Sequence, residues 1–247
     1  MKSTKKRLDV LLVERGLAES RTRAQAMVMA GLVYSETRRL EKPGQQVTED
    51  ISIELKGQDH PWVSRGGLKL IEALDHFEID PTGAVCLDIG ASTGGFTDVL
   101  ISRGAARVYA VDVGHGQLAW KLRSDDRVFV LERTNARYLT DELVPEPIDI
   151  VVTDASFISL KTVLPAGLDL ARSSARLMAL IKPQFEVGRG QVGKGGVVRD
   201  PDLHDEVCRD IEEWLVGRGD WRVDGIVPSP ILGPEGNREF LIVATKL

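Results

Sequence analysis

The spacing of apolar positions differs between the two ends of the chain. Apolar residues recur near helical spacing over residues 7–17 and 21–31, and apolar and polar residues then alternate over residues 47–55. The two stretches end near Gly16 and at Gly31, and Ser20 stands where it can cap the second helix. The pattern predicts a small α+β domain over residues 1–59.

Beyond a short segment at residues 60–66, the pattern becomes that of a parallel sheet. Runs of apolar residues alternate with helix-like stretches. The runs lie at residues 84–89, 108–111, 128–131, 148–153 and 177–181. A helix at 202–217 and a hairpin-like pair of strands at 221–226 and 240–245 complete the pattern. The sequence therefore predicts a Rossmann-like, doubly wound α/β domain over residues 67–247, joined by a linker at 60–66.

Net charge gives no overall indication of a nucleic-acid partner, but its distribution does. The chain carries a net charge of −5, whereas residues 1–24 contain seven Lys and Arg residues against three acidic ones. Such a cluster is also common on a solvated helix face, so charge alone leaves both interpretations open. The surrounding fold has to decide between them.

The cysteine, histidine and hydropathy patterns argue against a metalloprotein, a disulfide-rich protein and a membrane-spanning protein. The two cysteines are far apart and the four histidines show no ligand spacing, so we expect neither a metal site nor a disulfide framework. No stretch approaches the ~20 apolar residues that cross a bilayer, and the polar start lacks a secretory apolar core. We therefore expect a cytoplasmic protein with no stable membrane association.

A glycine-rich turn follows the first strand of the predicted sheet. It contains the residues that we assign to a cofactor site, namely Asp88, Gly90, Ala91, Ser92, Thr93, Gly94, Gly95 and Phe96. Glycines in such a turn let a ligand approach the backbone closely, although tight packing between strand and helix would also explain them. The spacing does not match the Gly-x-Gly-x-x-Gly dinucleotide fingerprint, so a cofactor without phosphates fits better than a nicotinamide dinucleotide.

Two side chains at later strand ends extend this candidate site. Asp112 ends the second strand, where a carboxylate can accept the hydroxyls of a ribose. Asn135 follows the third strand and is a candidate to contact the adenine or its ribose, or else forms a turn or cap. The two acids, Asp88 and Asp112, favour S-adenosylmethionine as the cofactor.

Four charged residues form a candidate catalytic group. Asp154 and Lys182 end two strands, Glu239 precedes the last strand, and Lys69 lies on a helix predicted over residues 66–77 with Ser64 as its N-cap. Ligands of open α/β sheets bind at the carboxyl ends of parallel strands, so Glu239 reaches that edge only if its strand is antiparallel. Taken singly, each residue is more typical of a surface ion pair.

The order Lys69, Asp154, Lys182 and Glu239 resembles the Lys-Asp-Lys-Glu tetrad of FtsJ-like RNA 2′-O-methyltransferases. A ribose 2′-hydroxyl is a poor nucleophile, so a base must take its proton during attack on the methyl group. We assign that base to Lys182, because partial desolvation and the like charge of Lys69 would favour its neutral amine. Asp154 and Glu239 would orient the two lysines.

The N-terminal pattern resembles the alpha-L RNA-binding domain known from ribosomal protein S-four. The matching features include Arg7-Leu8-Asp9, Ser20-Arg21, Gly31 and Lys42-Pro43, whereas Ser35-Glu36 stands where that domain often has an Asn-Gly turn. The residues that we assign to RNA contacts are Lys5, Lys6, Arg7, Arg21, Arg23 and Arg65. The resemblance implies that this end of the chain docks RNA.

Longer motifs make the whole chain similar to the TlyA-like family, which combines both domains. These motifs are Trp62-Val63-Ser64-Arg65-Gly66, Gly116-Gln117-Leu118-Ala119-Trp120, Ser156-Phe157-Ile158-Ser159-Leu160 and Lys182-Pro183-Gln184-Phe185-Glu186-Val187-Gly188. The resemblance implies 2′-O-methylation of cytidine in 16S or 23S rRNA within ribosomal subunits. Longer members have a C-terminal extension beyond the position of Leu247, which leaves the choice of subunit open.

Two other functions stay open from the sequence. Members of the resembled family have also been called haemolysins, which would make the chain a membrane-active protein. An RNA-binding protein with an inactive methyltransferase-like domain is the other alternative, although the tetrad and the glycine-rich turn are both present. The oligomeric state depends on surfaces that the sequence pattern does not define.

Overall fold

The computed structural model describes residues 5–18, 20–29, 31–36, 38–55, 60–233 and 236–247. The chain divides into two units, Met1–Pro61 and Trp62–Leu247. The division falls inside residues 60–66, where the sequence predicts the linker. Residues 56–59, at which the predicted N-terminal domain ends, lie outside the described residues.

The first unit is a small α+β arrangement of two helices and short strands. Its elements are β1 (Lys5–Arg7), α1 (Leu8–Glu14), α2 (Arg21–Met29), β2 (Val33–Ser35), β3 (Arg38–Arg39), β4 (Gln46–Thr48) and β5 (Glu54–Leu55). Strand β1 pairs antiparallel with β4, and β2 pairs antiparallel with β3 and β5. The predicted cap of the second helix is present, because Ser20 Oγ accepts a hydrogen bond from the Arg23 amide at 3.1 Å.

Helices α1 and α2 bury their apolar residues against the strands. The core of this unit consists of Leu8, Leu11, Leu12, Ala18, Ala24, Met27, Val28, Val33, Leu40 and Val47. The fully buried carboxylate of Asp9 accepts hydrogen bonds from Arg7, Arg21 and Gln25. The hydrogen bond from Arg7 is the main reason why the pKa of Asp9 lies well below its usual range. This network fixes α2 to the start of α1.

The second unit is built on a seven-stranded sheet with the order β11-β12-β10-β9-β6-β7-β8. Its strands are β6 (Val85–Ile89), β7 (Arg107–Val111), β8 (Val128–Leu131), β9 (Ile148–Thr153), β10 (Ala171–Ile181), β11 (Trp221–Pro228) and β12 (Phe240–Lys246). Its α-helices are α3 (Gly66–His76), α4 (Gly95–Ser102), α5 (Trp120–Arg123), α6 (Leu160–Val163), α7 (Pro165–Asp169), α8 (Pro183–Glu186) and α9 (Pro201–Val216). The predicted doubly wound α/β fold is confirmed.

The strand order reverses at the middle of this sheet. The chain runs from β6 outward through β7 to β8 and then crosses to β9 on the other side of β6, with all these neighbours parallel. A crevice opens at such a switch point, at the carboxyl ends of the strands. Strand β12 pairs antiparallel with β10, so its first residues reach this same edge. Glu239, which precedes β12, therefore lies at the carboxyl edge of the parallel strands.

The core of this unit lies on both faces of the sheet. One face packs against α6, α7 and α9, with Leu160, Leu168 and Ile211 among the buried residues. The opposite face packs against α3, α4 and α5, with Leu70, Val99 and Leu122 among them. Because apolar side chains are buried on both faces, the central strands read as continuous apolar runs in the sequence.

The predicted cap of α3 is wrong. Arg65 occupies the N-cap position, and its side chain makes no capping hydrogen bond. Ser64 instead contributes its main-chain carbonyl, which accepts a hydrogen bond from the Gly67 amide at 3.1 Å. Its side chain lies against α4, where a Cβ at Gly95 would come within 2.3 Å of Ser64 Oγ. Packing between the two helices therefore overrides the local capping preference.

Candidate active site

The glycine-rich turn after β6 bends the chain sharply toward α4. Gly90 and Gly94 have φ angles of +81° and +95°, a left-handed conformation that glycine adopts without strain. A Cβ at Gly90 would lie 3.0 Å from the Cα of Ala155, which follows β9. A Cβ at Gly94 would lie 2.3 Å from a methyl carbon of Leu122. Both glycines are therefore required by close approach within the protein itself.

Asp112, at the end of β7, holds two loops of the crevice together. Its Oδ2 accepts a hydrogen bond from the Ser92 amide at 2.8 Å, and its Oδ1 accepts one from the Gly114 amide at 2.6 Å. A carboxylate oxygen can accept more than one hydrogen bond. Asp112 can thus fix the loop backbone and still receive hydroxyl groups of a ligand.

A cavity of about 570 Å³ opens at the switch point. Four of the predicted cofactor residues line it: Gly90, Ser92, Asp112 and Asn135. The other predicted cofactor residues do not line it. They are Asp88, Ala91, Thr93, Gly94, Gly95 and Phe96. Phe96, for example, is only 3% exposed and belongs to the core. Most of the predicted loop residues therefore support the cavity wall without facing the cavity.

Several residues that line the cavity had no assigned role in the sequence. They are Ile89, Val111, Val113, Gln117, Thr134, Ala136, Arg137, Ala155, Ser156, Phe157, Ile158 and Val163. Gln117 and Phe157 stand inside motifs that the sequence analysis singled out only for their family likeness. Only their position in these motifs could have indicated from the sequence that they line the cavity, because exposed loop residues leave no periodic pattern.

Asp88 is buried behind the turn. Its Oδ2 accepts hydrogen bonds from the amide of Thr97 at 3.0 Å and from its hydroxyl at 2.6 Å. Burial raises the pKa of Asp88 to about 7, an effect that the two hydrogen bonds from Thr97 oppose. This acid therefore anchors the start of α4 to the end of β6.

Asn135 lies at the start of a short 3₁₀ turn, Ala136–Tyr138. Its side-chain oxygen accepts hydrogen bonds from the main chain of Arg137 at 3.1 Å and from Nε of the same residue at 3.2 Å. The predicted capping role is present, and Asn135 also lines the cavity. Its contact with the cofactor stays a prediction.

The four residues of the candidate tetrad come together at the sheet edge. Nζ of Lys69 lies 2.7 Å from Oε2 of Glu239 and 3.4 Å from Oδ2 of Asp154. Nζ of Lys182 lies 2.7 Å from Oδ1 of Asp154. Helix α3, the ends of β9 and β10, and the start of β12 each supply one member. The result is a continuous chain of alternating charges, Glu239–Lys69–Asp154–Lys182.

This group combines buried charges of both signs. Lys69 and Lys182 are each 6% exposed and Glu239 is 2% exposed. Charges taken out of water are costly unless each meets an opposite charge, and buried ionisable groups of this kind are typical of functional sites. Asp154 is less buried and also lines the cavity, so it connects the tetrad to the candidate cofactor site.

The residues of the first unit that the sequence assigns to RNA contacts differ in their ion pairs and exposure. Lys6 pairs with Glu14 at 2.8 Å and with Glu49 at 3.0 Å, and Arg7 and Arg21 both bind Asp9. Lys5 and Arg23 are exposed. In the second unit, Arg65 is exposed at the N-cap of α3.

Comparison with known proteins identifies both units. A family model described as FtsJ-like methyltransferase matches residues 62–246, and an S4 domain model matches residues 6–50. The chain belongs to the FtsJ-like methyltransferase family. Its first unit contains an S4 domain, which confirms the resemblance seen in the sequence.

Relatives of this FtsJ-like methyltransferase cover nearly the whole chain. A protein named 16S/23S rRNA (cytidine-2′-O)-methyltransferase TlyA, from Mycobacterium tuberculosis, is 49% identical over 96% of this chain and 88% of its own length. Hemolysin A from Brachyspira hyodysenteriae is 39% identical over 95% and 98%, respectively. A solved structure named as a hemolysin from Streptococcus thermophilus has a TM-score of 0.77 at 44% identity, covering 98% of this chain and 88% of that one.

S-adenosylmethionine is the cofactor of this family, as the sequence predicts. The cavity suits its adenosyl group, because the carboxylate of Asp112 and the amide of Asn135 stand beside apolar side chains such as Val111 and Ile158. Within the described ranges, no cluster of His, Cys, Asp and Glu side chains could hold a metal ion. No helix in that part of the chain is both long and apolar enough to cross a membrane.

Proposed function

We propose that this FtsJ-like methyltransferase methylates the ribose 2′-hydroxyl of a cytidine in ribosomal RNA, in the 16S molecule, the 23S molecule or both. The observation that carries the proposal is the buried Glu239–Lys69–Asp154–Lys182 chain, which meets the cofactor cavity at Asp154. The Mycobacterium tuberculosis relative, named for this reaction, supports the choice of nucleotide. The rRNA would be presented within ribosomal subunits in the cytoplasm.

Lys182 is the base in this proposal. S-adenosylmethionine, when bound, supplies an electrophilic methyl group. A neutral hydroxyl attacks such a group slowly, so the base has to take its proton during the attack. Lys182 is held at 2.7 Å by Asp154, a residue that also lines the cavity. The proposal is supported by this contact, because it holds the amine beside a residue of the cavity wall.

The other three members control the charge around that base. Asp154 lies between two lysines, so its negative charge is shared between Lys69 and Lys182. Glu239 in turn neutralises Lys69 in a setting with almost no solvent. Lys69 is thus paired with both acids, whereas Lys182 is paired with Asp154 and is the lysine that takes the substrate proton in this proposal.

The S4 domain docks the RNA in this proposal. Lys5 and Arg23 are exposed and offer their charges to phosphates directly. Lys6, Arg7 and Arg21 already pair with acidic side chains, so phosphate would have to compete with these carboxylates for the three cations. Arg65 is the predicted contact in the catalytic unit. Binding that depends on these cations weakens steeply as salt concentration rises.

Methyl transfer to isolated ribosomal subunits tests the proposal. Labelled S-adenosylmethionine is mixed with 30S or 50S subunits from a strain lacking the gene for this chain, and labelled nucleotides are mapped after nuclease digestion. Label on a cytidine 2′-oxygen is the expected result and identifies the subunit. Binding of S-adenosylmethionine without transfer to either subunit would contradict the proposal and favour an inactive homologue.

A pair of lysine variants tests the assignment of the base. Lys182→Ala is expected to lower transfer by ~10²-fold or more while calorimetry shows unchanged cofactor binding. Lys161→Ala is the matched control, because Lys161 lies on α6 and pairs with Asp210 at 2.6 Å. The control should keep full activity. Transfer at the unaltered rate by Lys182→Ala would remove Lys182 from the reaction.

A further inference from the structure

The amine of Lys182 has three acceptors within hydrogen-bond distance. Nζ forms an ion pair with Oδ1 of Asp154 at 2.7 Å, and it donates hydrogen bonds to the main-chain carbonyl of Asp154 at 3.0 Å and to Oγ of Ser156 at 2.8 Å. An ammonium group has three N–H donors and no lone pair. The amine therefore faces three oxygens, of which Ser156 Oγ alone belongs to a hydroxyl.

The hydroxyl partner of Lys182, Ser156, lies at the cavity wall. Its side chain is exposed and lines the cavity, whereas Lys182 is 6% exposed and is not part of the lining. A substrate hydroxyl that enters from the cavity side meets the serine hydroxyl before it meets the buried amine. The serine hydroxyl thus connects the cavity to the assigned base.

The three acceptors also differ in chemistry. A carboxylate and a carbonyl only accept hydrogen bonds, whereas a hydroxyl both donates and accepts. When Lys182 is neutral, its two remaining N–H groups can stay on the two oxygens of Asp154. The lone pair of a tetrahedral amine then points along the third direction, toward Ser156 Oγ.

Contacts between two sequence motifs keep Ser156 in this position. Glu186, four residues beyond Lys182, accepts hydrogen bonds from the Ser159 hydroxyl at 2.6 Å and from the Leu160 amide at 2.8 Å. Phe157 lies between Ser156 and the residues that Glu186 binds. Its φ angle of +65° is rare for an aromatic residue and persists only where the surrounding structure holds the loop.

We propose that Ser156 is a catalytic residue that relays the proton from the ribose 2′-hydroxyl to Lys182, a role that rests on the proposed function. The 2′-oxygen forms a bond to the methyl carbon as the carbon–sulfur bond breaks, and that electron pair stays on sulfur. Lys182 enters this step as the neutral amine, after its ammonium form has released a proton to solvent. The proton of the 2′-hydroxyl passes to Ser156 Oγ while the serine's own proton passes to the lone pair of Nζ. Lys182 ends as the ammonium with the three acceptors described above.

Single-turnover methyl transfer to ribosomal subunits separates this relay from direct deprotonation by Lys182. Ser156→Ala is expected to lower the rate by ~10-fold or more, with unchanged cofactor and subunit binding. Ser156→Thr keeps a hydroxyl and should stay within about threefold of the unaltered rate. Ser102→Ala is the matched control, because that hydroxyl donates to the Val99 carbonyl on α4. The control should leave the rate unchanged.

Rates in mixtures of H₂O and D₂O give a second measurement that a purely structural serine would not affect. A relay moves two protons together, so the rate should fall along a curve as the deuterium fraction rises, and the dependence should become linear in Ser156→Ala. A linear dependence in the unaltered chain would overturn the relay. So would full activity of Ser156→Ala, or equal losses in the alanine and threonine variants. Absence of transfer by the unaltered chain would instead overturn the proposed function, and this role with it.

Discussion

Lys69 and Glu239 form a buried ion pair, with 2.7 Å between Nζ and Oε2 and no exposed surface on the glutamate side chain. Lys69 enters from α3, before the first strand of the sheet, and Glu239 enters from the start of its last strand. Breaking one side of a buried pair leaves the other charge without compensation in a medium of low polarity. The pair therefore ties the two ends of the catalytic unit together and fixes the charge next to Asp154.

Glu239→Gln should lower both stability and activity. The amide keeps the shape but removes the charge that neutralises Lys69, so we expect a loss of about 1–3 kcal/mol in the free energy of unfolding. Methyl transfer should fall more than cofactor binding, because Glu239 acts on the tetrad and does not line the cavity. Glu213→Gln, on the exposed face of α9, is the control. Equal behaviour of the two variants in denaturation and transfer assays would contradict this view of the pair.

Gly233→Ala tests the position of Glu239 without altering any charged group. A Cβ at Gly233 would lie 2.1 Å from Oε1 of Glu239, so the carboxylate would have to move. We expect methyl transfer to fall by ~10-fold or more, with cofactor affinity retained. Gly190→Ala is the control, because a Cβ there meets nothing within 4 Å. Unchanged transfer by Gly233→Ala would show that the tetrad tolerates a displaced glutamate.

Much of the fold is readable in the sequence because buried parallel strands are continuous apolar runs. Strand β9, for example, covers Ile148–Thr153, the same residues that the apolar run predicts. The polar residues that follow such parallel runs must lie at one edge of the sheet, so the sequence alone predicts that Asp154 and Lys182 lie close together. An antiparallel β12 was needed to bring Glu239 to that edge, and it is present.

The sequence did not separate residues that face the cavity from residues that support it. The sequence predicts that the whole glycine-rich turn contacts the cofactor, yet α4 begins at Gly95, and this turns Phe96 into the core. Local preference predicts that Ser64 caps α3, but its side chain packs against α4. Both outcomes depend on tertiary contacts between segments distant in sequence, which local patterns do not contain.

Asp112→Asn should weaken cofactor binding. Each oxygen of Asp112 accepts a main-chain amide, one from Ser92 and one from Gly114. An asparagine would turn an NH₂ group toward one of these donors, so one loop has to move and a ribose acceptor is lost. We expect the dissociation constant for S-adenosylmethionine to rise by ~10-fold, measured by calorimetry. Asp126→Asn, an exposed aspartate, is the control, and equal affinities for both variants would contradict the role of Asp112.

Asp88 should make stability depend on pH in the opposite sense to most carboxylates. Burial raises its pKa to about 7 in the folded chain, against an ordinary value of 3.8. Between these two values the folded chain holds a proton that the unfolded chain releases. The free energy of unfolding contributed by this group is therefore fully present below the ordinary value and falls as pH rises through that window.

Asp88→Asn removes this dependence. The asparagine carbonyl can still accept the two hydrogen bonds from Thr97, but it has no proton to lose. Relative to the unaltered chain, the variant should gain stability from pH 4 to pH 7, at a rate of up to about 1.4 kcal/mol per pH unit. Chemical denaturation at several pH values measures this difference, with Asp126→Asn as the exposed control. If the curves of the Asp88→Asn variant and the unaltered chain run parallel, the buried acid does not titrate in this window. Its part in linking the end of β6 to α4 would then be that of a fixed charge.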